Sequence, residues 1–244
     1  MNMGQLSCRE IDDVVDEIAQ IDAENIYIVD DDFLYDTDRL NRFVEQVRKR
    51  KVHKNYICYG RADYISQNPD MMRKLKEIGL YYVLVGLEAI EDSYLERYEK
   101  RSDMNHNRQS VLVCRELGIH IMGMFIIDLG FRAKDFGALY RWICAHQLRH
   151  VALSIFTPEL CTPTYEQYKD RIITDNPSHF DYLHLVARPE HMSVRRFYFH
   201  YYMLLIRLFL KAKREGVYDF IDYGDYIRSF VANILAVKKT DRSV

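Results

Sequence analysis

The 244-residue sequence lacks several features that would each indicate a class of protein. No apolar run is long enough to span a membrane, since the longest approach, Phe197 to Leu210, is interrupted by His200 and Arg207. Only ten glycines are present, so a glycine-cradled phosphate site is not expected. A formal net charge of −2 gives no electrostatic reason to expect nucleic acid as the main partner. These absences argue against a transmembrane protein, a phosphate-loop protein and a nucleic-acid-binding protein.

Paired cysteines are also absent. The five cysteines stand at positions 8, 58, 114, 144 and 161, and no two of them have CxxC spacing. An odd and scattered set without a signal peptide is typical of reduced thiols in a cytoplasmic protein, most of them in the core. The sequence therefore predicts neither a disulfide framework nor a zinc site.

Strand and helix patterns alternate through the first two thirds of the chain. Several predicted strands are almost continuously apolar, as expected when both faces of a parallel sheet are covered. The pattern predicts an α/β fold with parallel βαβ units in a sheet or barrel. The predicted helices are 9–21, 36–51, 69–79, 106–117 and 134–146, and the predicted strands are 26–32, 55–63, 81–89, 120–129 and 151–156.

Polar residues follow each predicted strand at its carboxyl end. Because ligands bind at that edge of parallel α/β sheets and barrels, these residues predict a binding rim. The alternative is a solvated edge, where polar residues are common. Arg61 and Glu88 favour a binding rim, since each directly follows an apolar run and would need a partner or a ligand. The rim residues are Asp30, Asp31, Asp32, Arg61, Asp63, Gly86, Glu88, Asp128, Thr157 and Glu159.

The order of these motifs resembles the radical SAM superfamily, in particular the branch that often carries a cobalamin-binding domain and includes the anaerobic magnesium-protoporphyrin monomethyl ester cyclase. The resemblance covers roughly residues 9 to 170, and each motif is weak alone. It is carried by the helix Arg9–Ile18, Ile28-Val29-Asp30-Asp31-Asp32-Phe33, Gly60-Arg61-Ala62-Asp63 with Asn68-Pro69-Asp70 and Leu75–Gly79, Val85-Gly86-Leu87-Glu88 with Tyr98-Glu99-Lys100, Gly118-Ile119, Gly123–Asp128, and Phe156-Thr157-Pro158.

The resemblance implies a partial (βα) TIM-like barrel with S-adenosylmethionine lying across its carboxyl rim. Asp30, Asp31 and Asp32 would occupy the positions that contact the amino end of the cofactor, without a choice among the three. Arg61 would be a candidate for the carboxylate, and Glu88 for the ribose or carboxylate. The stretch that contains Gly123, Phe125 and Ile127 would pack against adenine.

One departure from the family is large. Its chemistry needs three thiolates in a CxxxCxxC loop after the first strand, and no such loop is present. Cys8 is a single thiol, and Cys161 stands where the family has Pro-Gly-Thr and is expected to be an ordinary buried or half-buried thiol. The barrel is therefore expected to miss its first strand. The 4Fe-4S cluster, and cobalamin, are expected only if an upstream region exists, and this chain alone is expected to be inactive in radical chemistry.

The pattern changes in the last third. Residues 1–170 are predicted to form the barrel and 171–244 a helical extension, with a helix from the Ser193 cap to Arg214. Six basic and no acidic residues lie between Arg195 and Arg214, so one interpretation is peripheral contact with an anionic membrane. The favoured interpretation is a helix packed on the barrel, because apolar residues run almost all round it. A further helix, 222–237, and a disordered tail, 238–244, are also predicted.

Three functions follow from these observations. The first is the S-adenosylmethionine-binding core of a radical SAM methyltransferase or cyclase with a small-molecule or lipid-like substrate, present here as a piece of a longer enzyme. The second is a metal-dependent nucleotide-sugar glycosyltransferase, in which Asp30 to Asp32 hold a divalent cation. The third is a non-catalytic, degenerate barrel, for which the missing cysteines are the strongest argument.

Overall fold

A parallel sheet organises the protein, for which a computed structural model describes residues 8–30, 32–89 and 104–219. Within those residues the sheet has five strands in the order β1-β2-β3-β4-β5. Every strand therefore pairs with the next strand along the chain. The strands are β1 Asn25–Ile28, β2 Asn55–Arg61, β3 Leu80–Glu88, β4 His120–Ile127 and β5 His150–Ile155.

Helices connect the strands and extend beyond them. In chain order they are α1 Ile11–Gln20, α2 Thr37–Lys49, α3 Ala62–Gln67, α4 Pro69–Glu77, α5 Met104–Glu116, α6 Ala133–Ala145, α7 Pro163–Tyr168 and α8 Val194–Arg214. Two short 3-10 turns, Lys169–Arg171 and Pro177–His179, lie between α7 and α8. Within the described ranges, every helix is too short or too polar to cross a lipid bilayer.

Local sequence signals explain where several helices begin and end. The Asp36 side chain accepts hydrogen bonds from the backbone N–H of Asp38 and Arg39 and so caps α2. Pro69 stands in the first turn of α4, where its missing N–H costs nothing. Gly79 follows α4 with φ of +113°, a conformation that only glycine adopts without strain. These signals place β3 directly after α4.

The sheet has a covered face and an open face. In β2, Tyr56, Cys58 and Gly60 are buried in the core beneath the helices, and the alternate residues Tyr59 and Arg61 are partly or fully exposed. Because side chains alternate along a strand, the second set shares the other face, which we call the open face. The same alternation continues in β3 and β4.

The predicted α/β fold, a partial TIM-like barrel with a helical C-terminal part, is confirmed, and two boundaries needed correction. The ladder of β1 ends at Ile28, so Asp30 and Asp32 lie in the loop beyond the strand. Asp63 does not end β2; it stands in the first turn of the short helix α3. Asp31, Tyr98-Glu99-Lys100, the predicted helix 222–237 and the tail 238–244 lie outside the described residues.

Helix α8 packs on α6 through one face only. Phe197 and His200 contact the ring of Phe136 at centroid distances of 5.5 and 5.6 Å. Near the other end, the buried Lys211 donates a 2.6 Å hydrogen bond to the Leu148 carbonyl. The opposite face carries large apolar side chains that are exposed to solvent. The prediction that this helix packs on the barrel is therefore confirmed, with burial limited to one face, and the predicted Ser193 cap is present.

Candidate functional site

Arg61 is the central charge of the rim. Its Nε and Nη2 donate to the two carboxylate oxygens of Asp63 at 3.0 and 2.7 Å, and its Nη1 lies 3.9 Å from Asp32 Oδ2. The hydrogen bond from Arg61 lowers the pKa of Asp63 against the opposing effect of burial. Asp63 is therefore the partner that the charge of Arg61 requires. The guanidinium is half-exposed, so one side of it remains accessible to a ligand.

Asp32 differs from its neighbours in having an unsatisfied carboxylate oxygen. Its Oδ1 is buried and has no hydrogen-bond partner within the described residues, and burial raises the pKa of this carboxyl despite nearby Arg61. Asp30 has a local role, because its Oδ1 accepts from the Asp32 backbone N–H at 3.2 Å. A buried acceptor without a donor costs stability unless a ligand supplies one. Among the two described members of the Asp run, Asp32 is therefore the binding candidate.

Glu88 ends β3 at an irregularity of the ladder. Arg61 pairs with Gly86, and Glu88 pairs with Phe125 across a register shift. Glu88 has φ of +59°, which is uncommon for a residue with a side chain. A Cβ atom built on Gly86 would lie 2.7 Å from Glu88 Oε1, so the missing side chain of Gly86 makes room for the carboxylate. The Glu88 carboxylate consequently lies over the end of β3, the strand that pairs with the strand of Arg61.

Asn107 holds this irregular strand end in place, and sequence reasoning missed it. Its side-chain amide, fully buried in α5, donates to the carbonyls of Leu87 at 2.7 Å and Ala89 at 3.1 Å, on either side of Glu88. A lone asparagine in a helical pattern gives no signal of such a role. Since strained backbone persists only where its surroundings hold it, Asn107 is the positioning residue for Glu88.

An apolar cleft of about 350 Å³ opens beside Glu88. Its side chains come from β4, β5 and the segment after β5. The lining residues are Glu88, Met124, Phe125, Ile126, Ser154, Ile155, Phe156, Thr157 and Tyr182.

The residues predicted to meet adenine lie mostly on the covered face. Phe125 and Ile127 are buried in the core, Phe125 against Trp142 at 5.7 Å, and a Cβ on Gly123 would meet Leu87 at 2.9 Å. Only their backbone is available to a ligand on the open face. The side chains that β4 offers there are those of the alternate residues Met122, Met124 and Ile126.

Tyr182 reaches the cleft from the irregular segment before α8 and was not anticipated. Its carbonyl accepts from the Ile155 backbone N–H at 2.6 Å, and its hydroxyl donates to Glu159 Oε1. The segment therefore continues the edge of β5. A loop without periodicity offers no sequence signal for this contact, so only the structure shows it.

The rim thus combines three kinds of group in strand order. An unsatisfied carboxylate lies after β1, a guanidinium at the end of β2, and a second carboxylate with an apolar cleft at β3 to β5. Charged groups of both signs beside an apolar slot suit a ligand that has an amino acid part and a flat ring part.

The cysteines do not form a metal site. Cys58 and Cys114 are buried, and burial raises the pKa of the Cys114 thiol to about 12. Cys8 and Cys161 are exposed, so the expectation that Cys161 would be buried or half-buried was wrong. Among the described residues no three His, Cys, Asp or Glu side chains could hold a metal ion together. The metal-dependent glycosyltransferase alternative gains no support from this part of the chain.

Comparison with known proteins places these features in a family. The sequence model of the radical SAM superfamily matches residues 2–143. Hopanoid C-3 methylase of Methylococcus capsulatus is 24% identical over 185 residues, which are 76% of this chain and 36% of that protein. Anaerobic magnesium-protoporphyrin IX monomethyl ester cyclase of Cereibacter sphaeroides is 22% identical over 188 residues, or 74% of this chain and 31% of that protein. The chain spans about a third of the length of these curated relatives.

Solved structures share the fold. The radical S-adenosylmethionine methyltransferase TsrM from Kitasatospora setae, with cobalamin and a 4Fe-4S cluster bound, superposes with a TM-score of 0.57 and 17% identity over 75% of this chain and 39% of that one. Methylornithine synthase superposes with a TM-score of 0.55 and 13% identity over 87% of this chain and 55% of that one. At such identities the likeness concerns the fold.

Proposed function

The chain belongs to the radical SAM superfamily, and on that premise we propose that its rim binds S-adenosylmethionine as the cofactor-binding core of a methyltransferase or cyclase. The observation that carries this proposal is the buried, unpartnered Oδ1 of Asp32 at the carboxyl edge of the sheet. A protonated amino group would supply the hydrogen bond that this oxygen lacks. The cost of burying the carboxylate would then be offset by a charge-assisted bond.

The remaining contacts follow from the order of the groups along the rim. Arg61, whose guanidinium is half-exposed beside Asp63, would bind the carboxylate of the cofactor. Glu88 would accept from the ribose hydroxyls. The adenine would lie in the cleft against Met124 and Ile126, with backbone contacts from Phe125. Gly123 and Ile127 would support that strand from the covered face.

The chemistry of the superfamily needs a 4Fe-4S cluster, which would supply the one electron that splits S-adenosylmethionine into methionine and a 5′-deoxyadenosyl radical. The five cysteines of this chain do not fit that cluster, because two are buried and none forms a CxxxCxxC set. The residues described here would bind and orient the cofactor and keep water from it. We propose that the cluster ligands, and any cobalamin domain, belong to other parts of a longer protein, of which residues 1–170 are barrel and 171–244 a helical extension.

The names of the relatives suggest the substrate class. Hopanoid C-3 methylase and the magnesium-protoporphyrin cyclase are named for large, mainly apolar polycyclic molecules. A substrate of that kind would suit the open face, where Leu84, Met122 and Met124 are partly exposed. We therefore propose a small-molecule or lipid-like substrate for the complete enzyme.

Replacing Asp32 with asparagine is expected to separate binding from stability. The amide keeps the shape but removes the buried charge, so affinity for S-adenosylmethionine should fall by about tenfold. The free energy of unfolding should stay unchanged or rise, because a buried carboxylate with an unsatisfied oxygen has been removed. Calorimetric titration and urea unfolding of the same preparations measure the two effects.

Asp30→Asn is the matched control. Asp30 lies two positions before Asp32, carries the same charge and has a backbone partner, so this variant should keep the affinity within a small factor of wild type. Equal losses in both variants would mean that general charge, and not the buried oxygen, attracts the ligand. If S-adenosylmethionine binds neither the 244-residue chain nor a version extended by its in-frame upstream codons, the proposal fails and the degenerate-barrel alternative replaces it.

A further inference from the structure

Helix α8 presents a continuous apolar stripe to solvent. Five side chains are each between 40% and 60% exposed, and their spacing of three, four, seven and eleven positions keeps them on one face. At 1.5 Å per residue the stripe is about 17 Å long. It consists of Phe199, Tyr202, Met203, Ile206 and Leu210, whereas the neighbouring Phe209 stacks on Tyr218 at a centroid distance of 5.7 Å. A contiguous exposed apolar surface of this kind indicates a site of contact with another protein or with a membrane.

The stripe lies between basic residues. Arg195 and Arg196 are exposed at the amino end of α8, and Arg214 is exposed at its carboxyl end. The helix contains no aspartate or glutamate. An apolar stripe with arginine at both ends and no acidic side chain in its helix complements a surface that is apolar inside and anionic outside.

The opposite face of α8 is firmly attached, so the stripe is held outward. Phe197 and His200 pack on Phe136 of α6, and Lys211 bonds the Leu148 carbonyl and Glu215 at 2.6 and 2.7 Å. The Arg207 guanidinium lies 5.4 Å from the centroid of the Tyr140 ring. Rotation of the helix to bury the stripe would break its contacts with Phe136, Tyr140 and the Leu148 carbonyl.

We propose that α8 binds the protein to the surface of an anionic membrane, with the stripe inserted among the lipid headgroups. Its basic ends would contact lipid phosphates. A second copy of the chain fits this surface less well. Antiparallel pairing of two α8 helices would place Arg195 and Arg196 against the partner's Arg214, and parallel pairing would place each basic end against the same end of the other helix. None of the residues that carry this inference belongs to the rim.

Vesicle sedimentation of the full chain tests the proposal. Vesicles of phosphatidylcholine with about 30% phosphatidylglycerol should pellet the protein, whereas pure phosphatidylcholine should not. Raising the salt to about 0.5 M should weaken binding, because screening removes the attraction. Ile206→Gln with Leu210→Gln should lower the partition coefficient by more than about tenfold. Arg195→Gln with Arg196→Gln should lower it by about twenty-fivefold, at about fivefold per charge.

The matched control removes two exposed basic residues from other helices, Lys49→Gln with Arg115→Gln, and should bind as wild type does. Equal loss in this control would overturn the proposal, since net charge alone would then explain binding. A protein that ignores anionic vesicles overturns it as well. Light scattering would then identify what contacts the stripe. A dimer would indicate a second copy of the chain, and a monomer would indicate another part of the same chain.

Discussion

Replacing Gly79 with alanine is expected to lower the free energy of unfolding by about 3 to 5 kcal/mol. The φ of +113° at this position is strained for any residue with a side chain. A Cβ atom would also lie 2.0 Å from the Lys54 carbonyl oxygen, which is backbone and cannot turn away. The Gly79 carbonyl accepts from the Tyr56 N–H at 2.9 Å, so a shift would break the start of the β2–β3 pairing. Urea unfolding monitored by circular dichroism measures the loss.

Gly118→Ala provides a control at the equivalent place in the next unit. Gly118 also follows a helix with positive φ, of +63°, but a Cβ atom there would meet no heavy atom within 4 Å. The cost should be only that of the left-handed conformation, about 1 to 2 kcal/mol. If both alanine variants lose the same free energy, the overlap with Lys54 is not the cause.

Replacing Asn107 with alanine should affect both stability and cofactor affinity. The variant leaves the buried carbonyls of Leu87 and Ala89 without the amide that bonds them, at a cost of about 2 to 4 kcal/mol. Glu88 would then be free to leave its positive φ. Affinity for S-adenosylmethionine should fall by about tenfold in the folded fraction, as measured by titration at a temperature where circular dichroism shows the variant to be folded.

Ser110→Ala tests whether the affinity loss is specific. Ser110 is equally buried in α5, and its hydroxyl donates to the Asn107 carbonyl at 2.9 Å, away from Glu88. We expect about 1 kcal/mol of destabilisation and unchanged affinity. If the role of Asn107 were purely structural, its alanine variant would show the same pattern as Ser110→Ala, with stability reduced and the affinity of the folded protein intact.

The alternation of the elements was predictable from the sequence because each depends on local signals. Pro69 and Gly79 bracket α4, and the apolar runs of β3 and β4 indicate covered strands. The end of β1 was not predictable, since Val29 and Asp30 could extend a strand as far as pairing allows. Only the register with β2, which stops at Ile28, determines it.

Features that arise between elements were not predictable. The face of α8 that packs is determined by contact with Phe136, which lies more than fifty residues away in the sequence. Because apolar residues occur on nearly all sides of this helix, its own sequence does not indicate which face is buried. The contact of Asn107 with the end of β3 and that of Tyr182 with β5 are likewise tertiary. The location of the rim was predictable because the carboxyl ends of parallel strands meet at one edge. Only some of the side chains that form the rim were predictable.

The sequential strand order also bears on how the chain reaches its native state. Ladder partners are separated by as few as 24 positions, between Tyr56 and Leu80, and as many as 38, between Tyr82 and His120. The entropy cost of closing a loop rises with its length, so pairing between successive strands costs less than pairing between strands farther apart in the chain. Each strand can dock as soon as its helix has been synthesised, against a neighbour already in place. The sheet would therefore assemble in the order of translation, with Glu88 positioned only after α5 emerges.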